Sequence, residues 1–284
     1  MREIIKKAFK ITNNTIILTI PLIIGVKLLD LYSLYTKYTV DSMPKFLLAS
    51  ITMLFMFAVF GAAWFYMVKE AVSLAKRVFI LDKDRANATL ALFKKLPEGI
   101  GKFFLSFIGV YIIFFFIQII LTPIVYFLGI STIGGLDSNT MQSFYSLATD
   151  PAITTNAGMA AFVEKLSPEM IVYLGKWCLL FMIVTSLVMY LLMFWIPEII
   201  YNTPNAFVAL FNSLVKLFKN FFDSIRLFLS IWLIGFALLF FSSFAAMNAF
   251  TYLLMSIVLF YFSVYFVLLI FVYYEQKYVS EDEK

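Results

Sequence analysis

The side chains in this sequence that could do chemistry are few and widely spaced. Lys27 and Asp30 stand three residues apart, so on a helix they share one face. An ionisable pair at membrane depth marks a path for a solute or a proton. The same pair also fits the outer part of a membrane helix, where Lys snorkels to the headgroups and Asp reaches water. Glu198 follows Pro197, whose missing N–H frees a backbone carbonyl. That combination suits a proton or cation carrier at the mouth of a membrane helix, or a solvated acid beside a helix break. Gln118 and Asn248 are polar residues in or next to apolar runs, where interhelical hydrogen bonds worth about 0.6–2 kcal/mol are the usual role. Lys176 also stands in an apolar run. Lys27, Asp30, Gln118, Lys176 and Glu198 therefore form the one polar set that would line an intramembrane path, provided the fold brings them together.

What is missing narrows the chemistry further. The chain has no histidine, which removes the commonest general base and metal ligand and every Ser–His or Cys–His pair. The single cysteine, Cys178, cannot form an intrachain disulfide or a thiolate metal cage. Asp82 and Asp84 alternate with Lys83 and Arg85, a solvated pattern with nothing to exclude water or raise a pKa. Gly134 and Gly135 lack the Lys and Ser/Thr of a phosphate loop and read as a turn. No catalytic, cofactor-binding or metal-ligating residue is expected, so the function predicted is non-enzymatic.

The elements that would position these residues are membrane helices. Of 284 residues, 63% are hydrophobic and 14% charged, against about 45–50% and 25% in a soluble domain. The apolar residues gather into runs long enough for about 30 Å of hydrocarbon: Thr15 to about Tyr35, Phe46–Val68, Phe103–Leu128, Met170–Ile196, Leu227–Met247 and Ala249–Tyr273. The first run resembles a secretory signal, but it continues through Lys27 and Asp30 without a small-x-small cleavage site and reads as a membrane helix. Pro21 and Pro123 are expected to kink their helices. The last two runs meet around Met247 and Asn248 as a tight hairpin. The fold predicted is all-α: a polytopic transmembrane bundle of about six spans, forming a single integral membrane domain over residues 1–284.

Charge orients the bundle. The N-terminal tail, Lys69–Lys102, Pro197–Arg226 and the C-terminal tail hold 17 of the 22 basic residues. The positive-inside rule places them, with both chain ends, in the cytoplasm of a cell inner (plasma) membrane, and places the 131–169 loop outside. Phe207, Leu210, Phe211, Leu214, Leu217, Phe218 and Phe221 recur at helical spacing, which predicts an amphipathic surface helix capped by Thr203 and Pro204. A weaker counterpart has Leu90, Phe93 and Leu96 beside Lys94 and Lys95, giving two cytoplasmic amphipathic helices in all. The basic residues hug the membrane, as suits anionic headgroups and not nucleic acid. The 34 Phe and 16 Tyr read as lipid-facing surface and interfacial belts, with Tyr273, Tyr274, Tyr278 and Trp195 in the belt.

The two halves match at a spacing of 124 residues: KFFLSF from Lys102 aligns with RLFLSI from Arg226, Leu90 with Leu214 and Thr89 with Ser213. This suggests an internal repeat, about 46–128 and 170–247; coincidence in so Phe- and Leu-rich a chain is the alternative. The PEIIYNTPNAFVALFNSLVKLFKNFF stretch from Pro197 to Phe222, the segment Lys76–Lys102 and the closing hairpin resemble a six-helix bacterial membrane family. That family includes the membrane domain of some glycerophosphodiester phosphodiesterases and related inner-membrane proteins. The resemblance implies a fold and a lipid-envelope setting and carries over no active residue, because the phosphodiesterase catalytic domain has no counterpart here. The long outer loop departs from the family pattern. The expected function is a multi-pass membrane protein that organises or moves lipids or amphiphiles, with membrane lipids as partners, or that assists a membrane protein partner. The alternative is a secondary transporter of a small solute.

Overall fold

A computed structural model of the chain describes residues 1–135, 145, 167–245 and 248–279, and the regular structure among them is helical. The helices are α1 (Arg2–Asn14), α2 (Thr19–Thr39), α3 (Met43–Leu74), α4 (Asp82–Leu90), α5 (Leu96–Ile133), α6 (Pro168–Leu192), α7 (Trp195–Tyr201), α8 (Ala206–Lys219), α9 (Phe221–Ala245) and α10 (Ala249–Tyr278). Six helical stretches are long and apolar enough to cross a membrane, in agreement with the six apolar runs. The 131–169 loop lies, apart from its edges and Tyr145, outside the described residues, as does Met247, where the sequence predicts the last hairpin.

Residues 1–113 and 190–284 form one compact unit and residues 114–189 a second. The first unit begins with a helix where the sequence suggests only a basic tail. Ile4, Ala8, Ile11 and Thr12 recur at helical spacing and are buried, and α1 lays them along α10. Thr15 ends α1, its Oγ1 donating to Ile11 O at 2.8 Å. A 3-10 turn, Ile16–Leu18, then leads into α2. Pro21 falls in the first turn of α2, where a missing N–H leaves nothing unsatisfied, so it opens the helix instead of kinking it.

α3 carries the core of this unit. Its middle buries Ala58, Gly61, Ala62 and Ala63, small residues that let neighbouring backbones approach, together with Trp64 and Met67. At Gly99 of α5 a Cβ would stand 2.7 Å from Ala62 O and 3.2 Å from Ala63 Cα, so α3 and α5 touch almost backbone to backbone. Aromatic rings fill the remaining space. Phe65 stacks on Phe107 at 5.7 Å and on Phe271 at 6.2 Å, and Phe194 on Tyr273 at 5.5 Å, each pair worth about 0.5–1.5 kcal/mol beyond its buried area. Tyr273 and Tyr274 are 1% and 0% exposed. They belong to the core and not to an interfacial belt, and Trp195 is likewise buried, donating to Ala206 O at 2.7 Å.

Two local expectations change. The first-half counterpart of the surface helix is a short polar helix, α4, followed by a 3-10 turn, Ala91–Lys95; it lacks the continuous apolar stripe of an amphipathic helix. The cap of α8 is Asn205, whose Oδ1 accepts from the N–H groups of Phe207 and Val208 at 3.0 and 3.1 Å. Asn displaces the Thr203–Pro204 pair because its short carbonyl reaches the second and third N–H groups of the helix. Asn248 does the same for α10, accepting from Phe250 N–H at 2.8 Å, so it is a cap and not an interhelical contact.

The second unit holds the rest of α5 and most of α6. Gly129 admits the Trp177 ring, which a Cβ would strike at 2.0 Å. Tyr173 donates to Gly134 O at 2.8 Å. Gly134 has φ +96°, a conformation glycine adopts freely after a helix end.

Candidate functional site: buried carboxylates at one end of the first unit

Glu198 is placed by a break in the fourth span. α6 stops at Leu192, a turn at Met193–Phe194 redirects the chain, and α7 carries Glu198 inward. The side chain is 1% exposed. Burying a carboxylate this deeply requires a full set of donors, and three helices supply them. Lys216 of α8 donates to Oε2 at 2.6 Å, Asn202 donates to Oε2 at 3.2 Å and Asn212 of α8 donates to Oε1 at 3.4 Å. Tyr274 of α10 donates its hydroxyl proton to Oε2, while its oxygen accepts from Asn202 and Lys216, each at 2.7 Å. The Lys216 ammonium also lies 5.1 Å from the Tyr274 ring centre and 5.7 Å from that of Tyr278. Every lone pair and proton of the phenol is thereby used, and the pair is electrically balanced.

The arrangement turns α8 over relative to a simple amphipathic reading. Its packed face is Ala206, Ala209, Ser213 and Leu217, with Lys216 beside them. Phe207, Val208, Phe211, Val215 and Phe218 point away and are 45–66% exposed. Small residues let the helix lie close enough for a lysine to reach a buried acid.

A second constellation repeats the chemistry on α3 and α5. Glu98 accepts from Lys95 at 2.8 Å, from Lys102 at 2.7 Å and from the Tyr66 hydroxyl at 2.7 Å, and Lys102 lies 5.1 Å from the Tyr66 ring centre. Both sites therefore consist of a glutamate, a lysine and a tyrosine whose ring the lysine covers, a geometry that adds cation–π attraction to the ion pair. Between them, Lys69 donates to Ile200 O at 3.3 Å and faces the rings of Tyr201 at 5.3 Å and Tyr66 at 5.9 Å. Tyr201 in turn stacks on Tyr274 at 5.9 Å. A second buried acid, Glu275, 4% exposed, pairs with Lys76 at 2.7 Å. The C-terminal ends of α3 and α10 are thus joined to α5, α7 and α8 by ion pairs, hydrogen bonds and cation–π contacts.

Of the five residues singled out from the sequence, only Glu198 enters this network, and it enters as a buried acid instead of a solvated one. Lys27 and Asp30 bond each other at 3.2 Å with side chains 64% and 60% exposed. In the second unit, Lys176 is exposed and Gln118 lines a cavity of about 100 Å³ with Thr185 and apolar side chains. Lys216, Tyr274, Asn202, Asn212, Tyr66, Glu98 and Lys102 were not read from the sequence as site residues. The polar i, i+4 pairs Glu98/Lys102, Glu198/Asn202 and Asn212/Lys216 were the available signal. Among the described residues no group of three or more His, Cys, Asp or Glu side chains is placed to hold a metal ion. What the geometry does is fix α8 to the bundle through an ion pair whose carboxylate is buried and whose lysine is part-buried.

No protein-family model, curated protein or solved structure matches this chain.

Proposed function

We propose that this multi-pass membrane protein organises or moves lipids or other amphiphiles, or assists a membrane partner that does, without catalysing a reaction. The observation that carries the reading is the orientation of α8. Its polar and small side is bolted to Glu198 and Tyr274, and Tyr278 donates to Lys216 O at 3.0 Å, while five large apolar side chains face outward. A row of that size is unfavourable in water and favourable in the headgroup and acyl boundary of a bilayer. A helix held so firmly on one side and so apolar on the other is suited to shaping the lipid beside it. The basic residues on α1, α3, α4 and α8 support a cytoplasmic position for this end, in a cell inner membrane.

Membership of the six-helix family is part of the same proposal. The duplication is too, supported by α4 with its 3-10 turn (Asp82–Lys95) and α8 (Ala206–Lys219), which begin and end at the predicted offset of 124 residues. The solute-transporter reading requires Lys27, Asp30, Gln118, Lys176 and Glu198 to line one path. Glu198 takes its four partners from outside that set, which leaves the transporter reading without support.

Native mass spectrometry of the protein released from lipid nanodiscs tests the proposal. Wild type is expected to retain several lipids, and Phe207→Ser/Phe211→Ser/Phe218→Ser to retain far fewer with its helix content unchanged by circular dichroism. Equal retention by the two proteins would sink the reading.

A further inference from the structure

We propose that a small basic pocket between α1, α3 and α4 binds a phosphate group, which deepens the lipid reading above by naming the chemistry of one headgroup site. The pocket has a volume of about 100 Å³ and is lined by Lys10, Asn14 and Thr15 at the end of α1, by Arg77 just past α3, and by Arg85 and Thr89 of α4. That is room for several waters, the scale of one tetrahedral oxyanion, and well below the roughly 300–1,000 Å³ of cavities that hold drug-sized ligands.

Charge decides what the pocket prefers. No carboxylate is among its lining residues, and neither Lys10 nor Arg77 has an ion-pair partner among the described residues. Arg85 lies 3.5 Å from Asp82, a carboxylate 97% exposed and readily released to water. The ends of α1 and α3 each contribute about half a negative charge, so three cations still leave the pocket positive after the helix ends and Asp82 are counted. The Thr15 and Thr89 hydroxyls are committed to Ile11 O and Arg85 O, each at 2.8 Å, which leaves the donors to Lys10, Asn14 and the two guanidinium forks. Planar forks match phosphate oxygens two at a time. Two sources offer that chemistry: an anionic phospholipid headgroup and a free phosphate ion.

The test uses the full chain in nanodiscs. One arm compares discs of phosphatidylcholine alone with discs containing one-fifth phosphatidylglycerol and scores retained lipid by native mass spectrometry. The other arm adds 10 mM inorganic phosphate and reads the thermal midpoint. Wild type is expected to enrich the anionic lipid over its bulk share, with a loss of about tenfold in Arg77→Gln/Arg85→Gln and a smaller loss in Lys10→Gln. Lys83→Gln, on α4 but outside the pocket, is expected to match wild type. Enrichment lost with the arginines assigns the pocket to headgroups. A phosphate-dependent rise in midpoint lost with the arginines, with no lipid selectivity, assigns it to the free ion. If the arginine variant merely melts at a lower temperature with unchanged selectivity and phosphate response, the cations serve the helix ends and the proposal falls. Retention of total lipid, and its loss in the triple Phe variant, would then still stand for the reading of α8.

Discussion

Replacing Lys216 by Met keeps the length of the side chain and removes the ammonium from Glu198. The carboxylate is 1% exposed, so it cannot recover the lost partner from bulk water. Breaking a buried ion pair by removing one member costs about 3–5 kcal/mol. Tyr274, Asn202 and Asn212 still donate, which places the expectation near the lower limit, about 3 kcal/mol. Glu198→Gln is expected to cost less, about 1–2 kcal/mol, because Lys216 is 24% exposed and its ammonium can turn to water. In the double variant the two losses should not add, and a coupling of about 1–3 kcal/mol should appear. Thermal unfolding in one fixed detergent, followed by circular dichroism, reads these differences at roughly 2–4 °C per kcal/mol for a chain of this size. Lys216→Met should therefore melt about 6–12 °C below wild type, with trypsin cleaving sooner after Lys219 as α8 loosens. Equal midpoints for the two single variants, or strict additivity in the double, would refute the description of Glu198 as a dehydrated carboxylate dependent on α8.

Gly99→Ala drives a methyl group into Ala62 O and Ala63 Cα, both backbone atoms within 3.2 Å, and should lower stability by about 1–3 kcal/mol in the same melt; an unchanged midpoint would mean that α3 and α5 are not in such close contact. Asn205→Ala removes the cap of α8 and should cost about 0.5–2 kcal/mol, visible as faster proteolysis between Asn205 and Lys219. Asp30→Asn breaks an exposed pair and should change stability by no more than about 1 kcal/mol, with a large loss pointing to a buried role for α2. Asp41 has its carboxyl held below the ordinary range by the Lys45 ammonium at 2.8 Å. Because the folded value is the lower one, its stabilisation is complete above the unfolded pKa of about 3.9 and disappears as the pH falls through the folded value. Carboxyl NMR should show Asp41 titrating at higher pH in Lys45→Ala, and an unmoved titration would show that Lys45 is not the cause.

How much was legible from the sequence varies with the range of the interaction involved. Six apolar runs of bilayer length dictated six membrane-spanning helices before any contact was known, because a lipid solvent leaves the backbone no alternative to helices in an apolar run of that kind. The absence of histidine was likewise plain. Helix ends were less legible. Thr203–Pro204 and Asn205 are adjacent and both compatible with a start, and only the backbone path selects which oxygen meets the free N–H groups. α1 was hidden for a different reason: its charged residues outweigh a narrow stripe of Ile4, Ala8 and Ile11, and α10 supplies the surface that makes the stripe worth burying.

The sequence by itself determined the solvent, the number of spans and the basic character of one set of segments, because these depend on the composition of contiguous residues. Tertiary structure alone decided that Glu198, Lys216 and Tyr274, separated by up to 76 positions, share one dehydrated site, and that α8 packs on its small residues and turns its phenylalanines outward. A periodic stripe defines two faces of a helix, and which face meets the bundle depends on the partner across from it: here a buried carboxylate that Lys216 and Asn212 of α8 reach.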